Sequence, residues 1–451
     1  MTGVRRRVAA FVLPACLVVG ATGGSAVHAA EPDLVTGTRS SAPVAAGTTE
    51  GQIASLDVGA GTWLAWATFS LVLPEPSSPD LPSAVCHLRA RAGDGSVKDD
   101  HRLLGTTWDY GDVTGSQTVD LDGVVSATLG AGGTLTLGCR SSVADVTATR
   151  IRIAALAVPS VERRAWSATK TTVVDDDADA VLLTNARGRA LPESGAAVTL
   201  GALTLPAGRW WLHASANILE ETRNGAIITN GTRCTLGLGG GVSVSDTWIV
   251  FKGRKMHAND LAWPATGDAG DRTARLRCRT TTSSDASAVG DVRLAAVRTG
   301  RLTRISSAEG ETVAVGRGDP AVIHVIGAGD ATVVGEAFTP WTTVLSVPVP
   351  AGAWLAKATF GTTKGAGGGG WNGPRIECVL DGGADEDRDV IPDGYASPRV
   401  SLMAVVRTKL AGKAVLRCTL PDGFRGQVVR ITDLDLTLVE LDSITTRSLV
   451  P

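Results

Sequence analysis

Ala60-Gly61-Thr62-Trp63-Leu64-Ala65-Trp66-Ala67 returns as Ala207-Gly208-Arg209-Trp210-Trp211-Leu212-His213-Ala214, and again as Ala351-Gly352-Ala353-Trp354-Leu355-Ala356-Lys357-Ala358. The two intervals are 147 and 144 residues. From each first Trp, 23 or 24 residues lead to a cysteine (Cys86, Cys234, Cys378), and a second cysteine follows at Cys139, Cys278 and Cys418. Leu137, Leu276 and Leu416 each stand two positions before that second cysteine. The units close on Arg152-Ile153-Ala154-Ala155-Leu156, Arg293-Leu294-Ala295-Ala296-Val297 and Arg430-Ile431-Thr432-Asp433-Leu434. Four landmarks in one order, three times over, read as one unit written three times. A period near 145 is too long for a solenoid repeat and is the size of an independent domain. The expected division is a signal peptide over 1–30 and three homologous domains over 31–161, 162–302 and 303–451.

Within each unit the pattern is β. Cys86 and Leu88, Cys234 and Leu236, and Cys378 and Leu380 sit two apart and so face one side of a strand. Leu135, Leu137 and Cys139 alternate in the same way, as do Leu434, Leu436 and Leu438. Gly, Asp and Ser cluster between such runs, and no stretch sustains a capped helical period. The fold class is therefore all-β: three tandem antiparallel β-sandwiches after a signal peptide. The cysteines lie on the leucine-bearing face, which must be the buried one. Pairing inside each unit (Cys86–Cys139, Cys234–Cys278, Cys378–Cys418) needs only adjacent or facing core strands. Each such bond is worth about 4 kcal/mol in the chain-entropy model.

The Gly-x-Trp entry into an alternating strand, as in Gly61-Thr62-Trp63-Leu64, resembles the Gly-x-Tyr-aromatic strand of the jelly rolls in complement globular heads and tumour-necrosis-factor-like proteins. It is similar, too, to jelly-roll-like repeats in secreted proteins of high-GC bacteria. The resemblance covers about ten residues of each unit plus the strand count. Trp stands where the animal families prefer Tyr, and the paired cysteines are a further departure. It implies a jelly-roll fold and carries over no site residue. Extended to assembly, it implies a monomer whose three domains pack around a pseudo-threefold axis.

Arg5-Arg6-Arg7, the apolar run Val8–Val19 and the small-residue ending Val27-His28-Ala29-Ala30 have the three parts of a secretory signal. Leu13-Pro14-Ala15-Cys16 offers a lipoprotein alternative with a very short apolar stretch. Cleavage removes three arginines and Cys16, so the exported chain carries a net charge of −5 and six cysteines. An even count suits structural disulfides in an oxidising compartment. No later run of 18 apolar residues is present, so no membrane span is expected. Leu191-Pro192-Glu193-Ser194-Gly195 is internal, without the apolar tail of a sorting signal. Thirty-five Arg against eight Lys point to a high-GC bacterial genome, which leaves the sequon Asn230-Gly231-Thr232 idle.

Near-neutral charge, 43 Lys+Arg against 45 Asp+Glu, excludes a nucleic-acid binder. His87, His101, His213, His257 and His324 are scattered, and no His-x-x-x-His or Cys-x-x-Cys spacing supports a metal. The glycine runs at 239–241 and 365–370 lack the Gly-Lys-Ser/Thr of a phosphate loop and read as turns. Asp385-Glu386-Asp387-Arg388-Asp389 has the alternating oxygens of a calcium loop, with Asp393 nearby. Val390 and Ala396 stand where an EF-hand needs Gly and Glu, so it reads as a solvated acidic loop, as does Asp175-Asp176-Asp177. Arg317-Gly318-Asp319 occurs at about chance frequency. Trp63, Trp210 and Trp354 read as core, whereas Trp108, Trp263 and Trp371 lie among Gly, Asp and Pro and are the candidates for stacking on a ligand. The expectation is a secreted, extracellular, non-catalytic protein without cofactor, acting as a structural element or by binding a glycan or surface protein. The alternative is an extracellular glycoside-type hydrolase, with Asp109 and Asp112 beside Trp108 as its carboxylate pair.

Overall fold

The computed structural model describes residues 33–450, apart from 76–81, 107–116, 166–170, 186–188, 193–194, 222–227, 239–240, 252–253, 268–271, 281–285, 300–301, 308–321, 328–330, 335–340, 365–375, 392–398, 421–427 and positions 176, 384 and 442. The described residues are all-β, without a helix. The first set of strands is β1 (Asp33–Pro43), β2 (Ala45–Ala46), β3 (Gly51–Val58), β4 (Gly61–Leu73), β5 (Ser83–Ala92), β6 (Val97–Thr106), β7 (Gln117–Leu129), β8 (Gly133–Ser141) and β9 (Thr147–Ala157). The second is β10 (Val161–Ala165), β11 (Thr172–Val173), β12 (Ala180–Asn185), β13 (Arg189–Leu191), β14 (Val198–Leu205), β15 (Gly208–Glu221), β16 (Ile228–Leu238), β17 (Gly241–Phe251), β18 (Arg254–Gly267), β19 (Arg272–Thr280) and β20 (Ala286–Thr299). The third is β21 (Leu302–Ser307), β22 (Val322–Gly327), β23 (Ala331–Val334), β24 (Thr342–Val349), β25 (Gly352–Lys364), β26 (Ile376–Asp381), β27 (Glu386–Ile391), β28 (Arg399–Thr408), β29 (Gly412–Thr419) and β30 (Val428–Leu441), followed by β31 (Ser443–Ser448).

Each set makes two facing sheets. In the first, β1-β9-β4-β7 faces β3-β8-β5-β6. In the second, β12-β20-β15-β18 faces β14-β19-β16-β17, and in the third β22-β30-β25-β28 faces β24-β29-β26-β27. Numbering in chain order the eight strands of those two four-stranded sheets, each set runs 1-8-3-6 and 2-7-4-5, which is jelly-roll topology. Three separate cores fill the three sandwiches, around Trp63 and Leu137, Trp210 and Leu276, and Trp354 and Leu416. The cysteines oppose each other across adjacent strands in those cores, and all three expected disulfides form.

The repeated Gly-x-Trp has a local cause. Trp63 Nε1 donates to the Gly59 carbonyl at 3.0 Å, Trp210 Nε1 to Pro206 at 3.1 Å and Trp354 Nε1 to Pro350 at 3.2 Å. That closure folds the chain back four residues upstream. Gly61, Gly208 and Gly352 allow it with φ of +147°, +146° and +151°, a region that side chains avoid. The indole is thus buried with its polar edge satisfied.

The joints are strands. β10 adds in parallel to β12, β21 to β22 and β31 to β1. Each sandwich therefore hands a trailing strand to the next, and the last hands one to the first. Leu449 sits in the first core and Val450 bridges Ser55. The apolar Leu449 and the edge of β1 thus hold the end of the chain to the first sandwich. Glu31–Pro451 form one compact unit.

Candidate functional site

β4 is buried almost without interruption from Trp63 to Leu71. One face meets its own core. The other joins a fourth cluster, which holds Leu64 and Trp66 of the first sandwich, Leu182 and Trp211 of the second, and Leu355 and Met403 of the third. Trp66, His213 and Lys357 occupy one register position, three residues beyond the repeated Trp. They converge: the Trp66 and His213 rings lie 6.3 Å apart, and Lys357 Nζ donates to His213 Nε2 at 2.9 Å. Trp211 packs on Trp66 at 5.2 Å. Lys357 Nζ also donates to Asp122 Oδ2 at 2.7 Å, with both groups buried. A buried ammonium loses several kcal/mol of hydration, and only a partner this close offsets it.

Around this centre, neighbouring sandwiches meet along seams built by equivalent residues. Thr68 pairs Arg152, Ser215 pairs Arg293 and Thr359 pairs Asp435, each next to a β-bulge. Arg293 of the second sandwich reaches Asp99 on β6 of the first, its Nη1 donating to both carboxylate oxygens at 2.9 and 3.0 Å. Arg163 adds a bond to Asp99 at 2.7 Å. Arg152 of the first sandwich reaches Asp385 at 2.7 Å and Asp387 at 3.3 Å, at the start of β27 in the third. Burial alone lowers the Arg152 pKa, but Asp387 and Asp385 outweigh it and raise it above its ordinary value.

The same acids close an open sheet edge. Asp99 accepts the Ser126 N–H and Asp385 the Val405 N–H, both at 2.9 Å. One register step on, His101 Nδ1 accepts the Val124 N–H at 3.0 Å, and Asp387 accepts the Met403 N–H at 2.8 Å. The edge strands β7 and β28 thereby find partners for N–H groups that no further strand pairs. His101 Nε2 donates to the Asp291 carbonyl at 3.1 Å, which fixes the neutral tautomer. Burial, aided by the charge of Arg293, holds this imidazole well below the ordinary 6.5.

Between the first and second sandwiches the seam opens into a polar cleft of about 230 Å³. His87, Asp100 and Arg102 line one wall, and Thr184, Asn185, Asp291 and Arg293 the other. His87 Nδ1 lies 2.8 Å from Asp100 Oδ1, and Arg89 Nε donates to Asp100 Oδ2 at 3.2 Å. Burial works to raise the Asp100 carboxyl, yet His87 and Arg89 together leave it below its usual value. Asp291 sits in the left-handed region at φ +48°, with Oδ2 accepting from Asn217 Nδ2 at 3.0 Å. Burial pushes its carboxyl up.

The residues singled out in the sequence fare differently. Trp63, Trp210 and Trp354 are buried core. Trp263 lies on β18 opposite Leu212, with its side chain outside the described residues. Trp108, Trp371, Asp109, Asp112, Asp393, Arg317-Gly318-Asp319, the glycine run at 365–370 and the leader also lie outside them. The acidic stretch at 385–389 is corrected: it enters β27, and Asp387 is buried on Arg152 rather than solvated. Asp175 and Asp177 are exposed, as expected for a solvated loop. Sequence reasoning missed His101, Asp122, His213, Lys357 and the seam arginines. The available signal was the run Trp63–Ala67, apolar on both faces, which marks a strand covered on both sides.

No family model matches the chain, and no curated protein does. Among solved structures, it is similar to the N-terminal CBM22-1–CBM22-2 tandem domain of Paenibacillus barcinonensis Xyn10C, at 11% identity and a TM-score of 0.20, covering 60% of this chain and 99% of that one. It is similar also to a chain of Sulfolobus turreted icosahedral virus, at 8% identity and a TM-score of 0.18, covering 89% and 86%. A third match is dimeric latent PorU of Porphyromonas gingivalis, at 9% identity and a TM-score of 0.22, covering 83% of this chain and 33% of that one.

Proposed function

We propose that this chain is a secreted, non-catalytic protein that works by binding or as a structural element. In this reading the three homologous repeats stand around a pseudo-threefold axis in a monomer, and the trailing strand β31 closes the ring. The observation that carries it is the use made of the buried and half-buried acids. Asp99, Asp122, Asp385 and Asp387 are each held by a cation or by backbone N–H groups at the seams. Groups so engaged hold sandwiches together and are poor candidates for proton transfer, which requires a carboxyl within reach of substrate. Three disulfides suit an oxidising, extracellular compartment. No helix among the described residues is long and apolar enough to cross a membrane. The partner we favour is an extracellular glycan or a surface protein. The test is a panel of soluble polysaccharides and glycans offered to the exported chain. Binding without release of reducing ends is expected, and hydrolysis lost in Asp109→Ala would overturn the reading.

A further inference from the structure

The polar cleft lies where the two seams carry different residues at one bulge position. Arg150 and Asp291 occupy the same place in the bulge that follows the Thr68/Arg152 and Ser215/Arg293 pairs. Both adopt the left-handed conformation, at φ +54° and +48°. Arg150 spans its seam, with Nη2 on Asp120 at 2.7 Å and on Ser70, and Nη1 4.0 Å from Asp387. Asp291 is several atoms shorter and stops at Asn217. Part of what the long side chain fills in one seam is left open in the other, where the cleft measures about 230 Å³.

Resting on the binding reading above, we infer that this cleft is a binding site for a small neutral polyhydroxylated ligand, the size of a single sugar ring. Its charges balance: Arg102 and Arg293 stand against Asp100 and Asp291. A free anion would meet the two carboxylates and a free cation the two guanidinium groups. A hydroxyl suits both, because it donates and accepts at once. Thr184 and Asn185 on the far wall add groups of the same dual kind. The volume lies below the several hundred Å³ that hold drug-sized ligands, which restricts the occupant to about one ring. The walls are set in advance by Arg293 on Asp99, His87 and Arg89 on Asp100, and Asn217 on Asp291, so little order is lost on binding. Arg102 is exposed at the mouth and free to close on a hydroxyl or ring oxygen.

The experiment is calorimetric titration of the full exported chain with glucose, galactose, mannose and N-acetylglucosamine, with acetate, glutamate and putrescine as charged controls. At least one sugar should bind with 1:1 stoichiometry and saturate below about 10 mM. Asp291→Arg recreates the filled seam and should weaken that binding tenfold or more without moving the unfolding midpoint. Arg102→Ala, at an exposed position, should weaken it at least threefold and guards against misfolding of the first variant. No saturable sugar binding, binding unchanged in both variants, or a charged control that binds tighter than every sugar would each overturn the inference. Turnover of a sugar polymer would instead overturn the non-catalytic reading, so the two failures are distinguishable.

Discussion

The seam between the first and third sandwiches and the seam between the first and second are built on the same frame. In each, an arginine from the closing strand (Arg152 or Arg293) crosses to an aspartate (Asp385 or Asp99) that also caps an edge N–H. They differ at two places. Where one has Asp387 the other has His101, and where one has Arg150 the other has Asp291. The first exchange replaces a carboxylate acceptor by a neutral imidazole that burial holds well below its ordinary 6.5. The second replaces a spanning cation by a short acid and leaves a cleft. Jelly rolls can thus share one mode of association while their seams diverge in chemistry.

The strongest way to break the comparison is to cut the shared arginines. Arg152→Ala and Arg293→Ala each take a buried cation from a buried carboxylate, leaving Asp387 only Arg150 at 4.0 Å and Asp99 only the more exposed Arg163, and should destabilise by up to about 3–5 kcal/mol, read as urea unfolding midpoints. Equal losses support equivalent seams; a loss confined to one would show that the other is held elsewhere.

His101 sharpens the contrast through pH. Its folded pKa lies well below 6.5, so stability is complete above that value. As pH falls below it, the unfolded chain takes up a proton that the folded chain refuses. Stability then declines by up to about 1.4 kcal/mol per pH unit until the folded imidazole itself takes up the proton. Among the flanking groups, Arg293 and His213 disfavour the protonated imidazole, whereas the Asp291 carbonyl and Asp100 favour it. In His101→Gln that component of the slope should vanish, measured as unfolding free energy across the range. An unchanged slope would place the acid sensitivity on another group.

The smallest effect is expected from the second exchange. Asp291→Arg should change stability by less than about 1 kcal/mol, because Arg150 shows that the bulge tolerates arginine at the same φ. A larger loss in a thermal melt would mean that the two bulges are not interchangeable.

Most of each sandwich was legible in the chain. Cysteine and leucine two apart gave the buried face, and with it all three disulfides. The repeated Gly-x-Trp marked the entry to β4, β15 and β25. The seams were not legible, for a physical reason. Period-2 patterning separates apolar from polar, but it cannot separate a solvated aspartate from one held by an arginine 233 residues away, as Asp385 is by Arg152. Trp66, His213 and Lys357 share one register position, yet their chemistry differs, and only the fold brings them together. The pairing of the C-terminal strand was hidden for a related reason. Its partner β1 lies at the far end of the chain, and β31 carries mostly exposed residues, with the buried anchor Leu449 only after its end.

The shared cluster around Trp66 and Trp211, the charged seams and the closing strand should make the three sandwiches one cooperative body. Differential scanning calorimetry of the exported, disulfide-intact chain decides whether they do. A single transition whose calorimetric and van't Hoff enthalpies agree is expected. Two or three resolved transitions, each with the enthalpy of one sandwich, would contradict it.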